Sequence, residues 1–326
     1  MSVSDKPTAH ILMRVLPTVI SILVFGLVVW GVKSTVSTLC FSCILDALQN
    51  LSQTAVTLSL VAALGAYITL ACYDVLTFRY FGYPVPLRTI LIAAIVCNGI
   101  SNSTGFSVLV GTGIRYRYYT HYGVTSLQIA KIVGFGFSTF VASLGLMGGI
   151  SMLAAPQDFA VLQINSLWLQ AIGIAFLVGV AIYLLLSYTH GGKPFKIGKH
   201  TVHLPGLGIT LQQTCMTSLE LTLTSLCMYL ILPASSLGFI TFIGFYIFSQ
   251  IGTHISQIPG GIGVLDGILF LLLRPFMPAE GIVASLLAFR TIFYIAPLAV
   301  TVALYAYHEA HHAHKKIRRH VYRKKG

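Results

Sequence analysis

A chain of 326 residues that is 56% hydrophobic and only 9% charged, with a mean hydropathy of +0.85, is no ordinary soluble domain; those carry about a quarter of charged residues. The formal net charge of +12 is largely a tail, since seven of the 20 Lys and Arg lie within Lys315–Gly326, and it points to no nucleic-acid partner. The expected fold class is an all-α polytopic membrane protein.

After a short polar segment, Leu12–Trp30 reads as a first spanning helix. A signal peptide would have a shorter apolar core and a small-residue cleavage site. Val32–Asn50 is mixed and weakly charged, as an interfacial segment would be, and its Cys40 and Cys43 form a lone C-x-x-C without the second pair that a zinc site needs. Cys72, Cys97, Cys215 and Cys227 sit in apolar runs as small hydrophobes. Leu51–Phe78 is a long apolar helix closed by Asp74, Arg79 and the turn Gly82-Tyr83-Pro84. Leu87–Val110 enters and breaks in the Ser/Asn/Gly-rich stretch Asn98–Gly113, and the chain emerges as Arg115-Tyr116-Arg117-Tyr118-Tyr119. Ile132–Ala155 and Leu167–Tyr188 span, a loop with Lys193, Lys196 and Lys199 follows, and Ile209–Leu232 spans again.

The stretch His254–Gly267 organises the rest. It lies between Phe239–Gln250 and Ile268–Leu273, each too short to cross a bilayer alone, because a crossing takes about 20 apolar residues. Two half-helices with a break at Pro259-Gly260-Gly261 are expected, and backbone that leaves a helix in a membrane must face protein or water. Ile100-Ser101-Asn102 and Ile255-Ser256-Gln257 echo each other in the two broken stretches. Ile282–Tyr307 is the last span.

Lys and Arg favour the cytoplasmic side. With both termini cytoplasmic and both broken segments treated as re-entrant hairpins, only Lys33 and Arg274 fall outside and Arg290 falls within a span. Counting the hairpins as full crossings would put Arg115 and Arg117 outside. The result is two inverted repeats, about 51–155 and 209–307, in a transmembrane domain 1–307, with a basic His-rich cytoplasmic tail at 308–326. Inverted repeats with broken helices hold substrates near the midplane of secondary transporters.

Charges inside such a protein need a reason, since one at the bilayer centre costs roughly 2.5–3.5 kcal/mol on insertion scales. Glu220 and Arg290 lie inside predicted spans, either as a salt bridge with each other or as a headgroup or proton site. Asp266, just past the glycine break, is either a helix-end partner or part of the same site. Asp74 has Arg79 as its plainest partner. Arg115 and Arg117 with their tyrosines form either an interfacial belt or a phosphate site, and glycines at the breaks leave N–H groups for an anion. The candidate substrate-binding set is Asp74, Asn102, Arg115, Glu220, Gly260, Gly261, Asp266 and Arg290, with no catalytic or metal residues and no cofactor.

Four features carry a family resemblance: Tyr73-Asp74 at the end of a long helix, Gly113-Ile114-Arg115 with trailing tyrosines, Glu220 within a later helix, and Pro259-Gly260-Gly261-Ile262-Gly263-Val264-Leu265-Asp266. Over Leu51–Tyr307 the chain resembles the flippase-type transmembrane domain of the bacterial lysylphosphatidylglycerol synthase/flippase (multiple peptide resistance factor) proteins, which confer resistance to cationic antimicrobial peptides, and their stand-alone relatives. The resemblance implies movement of aminoacylated phosphatidylglycerol from the inner to the outer leaflet of the bacterial cytoplasmic (inner) membrane, with Asp74, Arg115 and Glu220 at the functional positions. Leu221 stands where that family tends to have Trp, and Asp266 where Glu is commoner. No soluble aminoacyl-transfer domain is present, so the chain is expected to be a stand-alone relative or the membrane half of a longer protein, a lipid transporter and not an enzyme. A homo-oligomer is left open.

Two other readings stand beside it. A carrier of another lipid, such as a polyprenyl phosphate, would use the same architecture without needing Glu220. His308-Glu309-Ala310-His311-His312 fits the H-E-x-x-H pattern of zinc proteases, but it comes last, at the start of a basic tail suited to anionic lipid. No G-x-x-x-x-G-K-[ST] occurs, so direct ATP drive is not expected.

Overall fold

The computed structural model describes residues 40–103, 107–192, 194–197, 200–203, 205–256, 258 and 261–304. The expected span Leu12–Trp30, Gly260 and the tail 308–326 lie outside them. A short helix, α1 (Phe41–Gln49), is followed by the long α2 (Gln53–Phe81), the pair α3 (Leu87–Ser103) and α4 (Ser107–Tyr119), and the long α5 (Ser126–Ala154). Then come α6 (Ser166–His190), α7 (Leu207–Tyr229), the pair α8 (Phe239–Ser256) and α9 (Val264–Leu273), and α10 from Ala279. Helix α10 passes through a π-helical turn, Thr291–Ile295, and runs on to Leu304. The loop before α7 carries a small antiparallel hairpin, β1 (Pro194–Ile197) with β2 (His200–His203), which the all-helical expectation did not contain.

Among the described residues five helices are long and apolar enough to cross a membrane: α2, α5, α6, α8 and α10. Their outer faces are apolar: Leu64 on α2 is 62% exposed and Trp168 on α6 is 69% exposed. Such a belt is stable only against lipid or another apolar surface. Inside, α7 packs against α2, α5, α6, α8 and α10, with its largest contact on α2. Ser59, Ala62, Ala63 and Ala66 on α2 leave room for Leu221, Cys227 and Met228 of α7, and Ser59 Oγ donates to Cys227 O at 2.6 Å. Small residues let backbones approach where lipid gives helices no hydrophobic reason to associate. Local signals set the ends: Gly82 (φ 66°) caps α2, and Thr125 with Gln128 forms a capping box at the start of α5.

The succession long helix, helix pair, long helix occurs twice, as α2–α5 and as α7–α10. α3 packs on α4, and α8 on α9. The helices extend further than the sequence pattern implied. Phe239–Gln250, read as too short to cross, continues to Ser256, so α8 has 18 residues. Its polar residues stay helical by turning onto carbonyls one turn back: Ser249 Oγ to Phe245 O (2.8 Å) and Thr253 Oγ1 to Ser249 O (2.9 Å). Much of the expected break Asn98–Gly113 is likewise helical, with α3 reaching Ser103 and α4 starting at Ser107. Two of its glycines serve contact: a Cβ on Gly99 would collide with Thr301, and one on Gly111 would lie 2.9 Å from Ser101 Oγ.

Glycine also brings α5 against α6, where a Cβ on Gly149 would sit 2.9 Å from Gly173 O and 2.8 Å from Leu177 Cγ. Gly149→Leu is expected to cost about 1–3 kcal/mol by overpacking, read as a lower thermal midpoint in detergent. Gly134→Leu, where a Cβ meets open space, is expected to leave the midpoint unchanged.

Candidate functional site

A cavity of about 1450 Å³ opens between the two helix successions, with α2, α3, α5, α6, α7 and α8 all contributing. Apolar residues such as Phe137, Val141 and Phe176 line one side. Polar groups collect in two places.

The first is held by α2, α3 and α4. Asp74 on α2 is buried and pairs with Arg115 on α4, whose Nη2 lies 3.0 Å from Oδ2 and 3.2 Å from Oδ1. Arg79, five residues on and the simplest partner from sequence, is not the one used. Arg115 Nε is buried with no hydrogen-bond partner among the described residues. Asn98, Ser101 and Asn102 of α3 line the cavity beside this pair. Asn102 also bonds the Tyr67 hydroxyl, which donates to Phe293 O at 3.1 Å. Ser103 Oγ approaches Tyr294 O at 3.4 Å. The π turn of α10 exposes these carbonyls to α2 and α3, as such turns often do at functional positions.

The second place surrounds Glu220 on α7. Its Oε1 accepts from Thr224 Oγ1 at 3.0 Å, and among the described residues no Lys, Arg or His pairs with it. Tyr67, Tyr246 and Tyr294 lie close enough to feel its charge. From Tyr246 a polar line runs along one face of α8, because residues four apart share a face. Gln250 Nε2 donates to Tyr246 Oη (2.7 Å), and His254 Nδ1 lies 2.8 Å from Gln250 O, its exposed ring against Phe140.

The expected Glu220–Arg290 alternative gives way to a different pairing. Arg290 Nε and Nη2 contact Asp266 at 2.9 Å and 2.7 Å, and Nη2 also donates to Gly261 O at 3.1 Å. Asp266 accepts from the N–H of Gly263 (3.1 Å), closing the first turn of α9. Packing decides this: Arg290 reaches across Tyr294, 5.1 Å from its ring centroid, toward the turn where Gly261 and Gly263 adopt φ of +60° and +82°. Asp266 is therefore a helix-end partner. Of the candidate residues, Asp74, Asn102, Arg115, Glu220 and Gly261 line the cavity, Asp266 and Arg290 form a separate pair, and Gly260 lies outside the described residues. Sequence reasoning missed Tyr67, Tyr246, Gln250, His254 and Tyr294, although Tyr246, Gln250 and His254 recur every four residues in an apolar run.

Comparison with known proteins adds a lineage. The chain is 32% identical to the uncharacterized protein slr0712 of Synechocystis over 87% of its own length and 89% of that protein. The chain belongs to that protein's family. It is also 28% identical to the inner membrane protein YbhN of Escherichia coli over 76% of this chain and 79% of that one. A phosphatidylglycerol lysyltransferase of Staphylococcus haemolyticus is 23% identical over 73% of this chain but only 28% of its own length. No family model matches.

Because Asp74 neutralises Arg115 in a buried place, Asp74→Asn is expected to cost roughly 3–5 kcal/mol, seen as a lower unfolding midpoint in detergent. Asp74→Arg combined with Arg115→Asp is expected to recover part of the loss. Gly263→Ala is expected to destabilise by more than about 1 kcal/mol, because φ of +82° strains any residue with a Cβ; the same unfolding measurement reads it.

Proposed function

We propose that this protein is a phospholipid flippase that moves aminoacylated phosphatidylglycerol, in its lysyl or a similar form, from the inner to the outer leaflet of a bacterial cytoplasmic membrane. The observation that carries this reading is Glu220, a carboxylate without a cationic partner among the described residues, facing a cavity inside lipid-facing helices. A charged group so placed pairs, takes a proton or meets an aqueous path. A lipid with an amine supplies the missing cation. Relatedness to an inner membrane protein and, over a limited part, to a phosphatidylglycerol lysyltransferase supports the membrane and the lipid class.

In this reading the headgroup passes through the cavity while the acyl chains stay in hydrocarbon, so only the polar part needs a polar route. Arg115 receives the phosphate through donors that Asp74 does not occupy, Asn102 adds a hydrogen bond, and Glu220 holds the ammonium group. Arg290 and Asp266 clamp the turn before α9 and thereby position Gly261 at the cavity wall. Both pairs α3/α4 and α8/α9 act as re-entrant hairpins with both termini cytoplasmic, and no covalent chemistry is assigned. A polyprenyl-phosphate carrier would use Arg115 but leave Glu220 without a task.

Proteoliposomes containing fluorescent phosphatidylglycerol, its lysyl form or phosphatidylethanolamine test this directly. The lysyl lipid is expected to exchange between leaflets fastest, and Glu220→Gln to slow it at least tenfold. Equal exchange of all three lipids, unaffected by Glu220→Gln, would reject the assignment.

A further inference from the structure

The geometry around Glu220 bears on how transport would be driven. Among the described residues, the elements packed on α7 present their titratable groups near this carboxyl as phenols, as closed ion pairs, or as the exposed histidine His254. α2 brings Tyr67 and Tyr73, with Asp74 already engaged by Arg115. α6 brings Tyr183, α8 brings Tyr246 and the exposed His254, and α10 brings Tyr294 with Arg290 held by Asp266. α5 contributes Phe140, Leu144 and other apolar side chains, and on α7 itself the neighbours are Thr224 and Cys227. Among the described residues Glu220 therefore has only hydrogen-bonding neighbours in low dielectric, and such a carboxylate is neutralised by a proton or by a visiting cation. Tyr246 lies near Glu220 and accepts from Gln250 Nε2, while the exposed His254 ring meets the main-chain carbonyl of Gln250.

Resting on the flippase reading, we propose that Glu220 is a site that a proton and the headgroup amine occupy in turn, which makes the protein a lipid–proton exchanger. When the ammonium group of the lipid arrives, the Glu220 O–H bond breaks and its proton passes to solvent on the side the cavity then faces; when the lipid departs on the other side, a proton rebinds from solvent there before the site turns back. One proton moves against each lipid. The two cargoes exclude one another because one carboxylate neutralises one positive charge, and no oxidant, reductant or nucleotide enters the cycle.

Thermodynamics makes the test independent of how the protein is oriented in vesicles. One-for-one exchange accumulates the amine-bearing lipid in the leaflet facing the acidic side, tenfold per pH unit. The full chain is reconstituted with lysyl-phosphatidylglycerol, a gradient of one unit is imposed, and the outer-leaflet fraction is read with an impermeant amine-reactive label. Proton movement is followed with a trapped pH dye. A form of the lipid with permethylated amines, followed by a fluorescent acyl label and its quenching from outside, has no amine proton to lose and so excludes passive trapping. Expected results are a leaflet ratio near ten for both lipids, matching proton flux, and an even distribution of phosphatidylglycerol itself. Glu220→Gln is expected to return the ratio to one. Intact exchange of the lysyl lipid with a ratio of one and no proton flux overturns the coupling and leaves the flippase reading standing. No exchange of the lysyl lipid under any gradient overturns both.

Discussion

Hydrocarbon offers no hydrogen bonds, so every polar group within a membrane protein must be satisfied by the protein itself or by trapped water. The consequences run through the whole fold, because its most polar long helix lies at its centre. α7 carries Gln213, Thr217, Glu220, Thr224 and Ser225. Several are met locally, as Thr217 Oγ1 donates to Gln213 O (3.0 Å) and Ser225 Oγ to Leu221 O (2.7 Å). Others are met across helices, as Gln213 Nε2 donates to Thr77 Oγ1 at 2.8 Å and Ser143 Oγ to Thr214 O at 3.2 Å. Surrounding α7 with five helices keeps that polarity away from lipid. Among the described residues Glu220 is the charged group on α7 that no cation meets, and the cavity lies where it stands.

The order of helices was largely legible in the sequence, because hydropathy reports the one constraint that lipid imposes. The spans read at Leu51–Phe78, Ile132–Ala155, Leu167–Tyr188 and Ile209–Leu232 each match a helix within a few residues. Breaks were read less well. The helix ends lie near Pro259-Gly260-Gly261 and inside Asn98–Gly113 as read, but Gly99 and Gly111 permit helix contact and the polar residues past Gln250 bond back to the helix, so the helices run further than composition implies. Which of those roles applies depends on neighbours that no local pattern contains.

Partners were less legible still. Asp74 has an arginine five residues away and chooses one 41 residues away; Arg290 bypasses Glu220 for Asp266, 24 residues away. Ion pairing in low dielectric is decided by which side chains share a buried space, and that is a property of packing. Glu220 could be named beforehand from its chemistry, since charge in an apolar run is conspicuous, whereas Asp74 and Arg115 were joined to it by the family resemblance. Tyr67 and Tyr294 could not, because a tyrosine among apolar residues reads equally well as core.

The Asp74–Arg115 and Asp266–Arg290 pairs also have opposite senses. In the first succession the long helix α2 bears the acid and the hairpin arm α4 the base; in the second the hairpin arm α9 bears the acid and α10 the base. An elementary charge crossing the full membrane voltage changes energy by about 2.3 kcal/mol per 100 mV. Because α4 also carries Arg117, the two arms hold +2 and −1. Displacing both together would leave the field to act on a net +1, whereas displacing them in opposite directions would add the two contributions. A rocking shift would therefore be more sensitive to voltage than a concerted one.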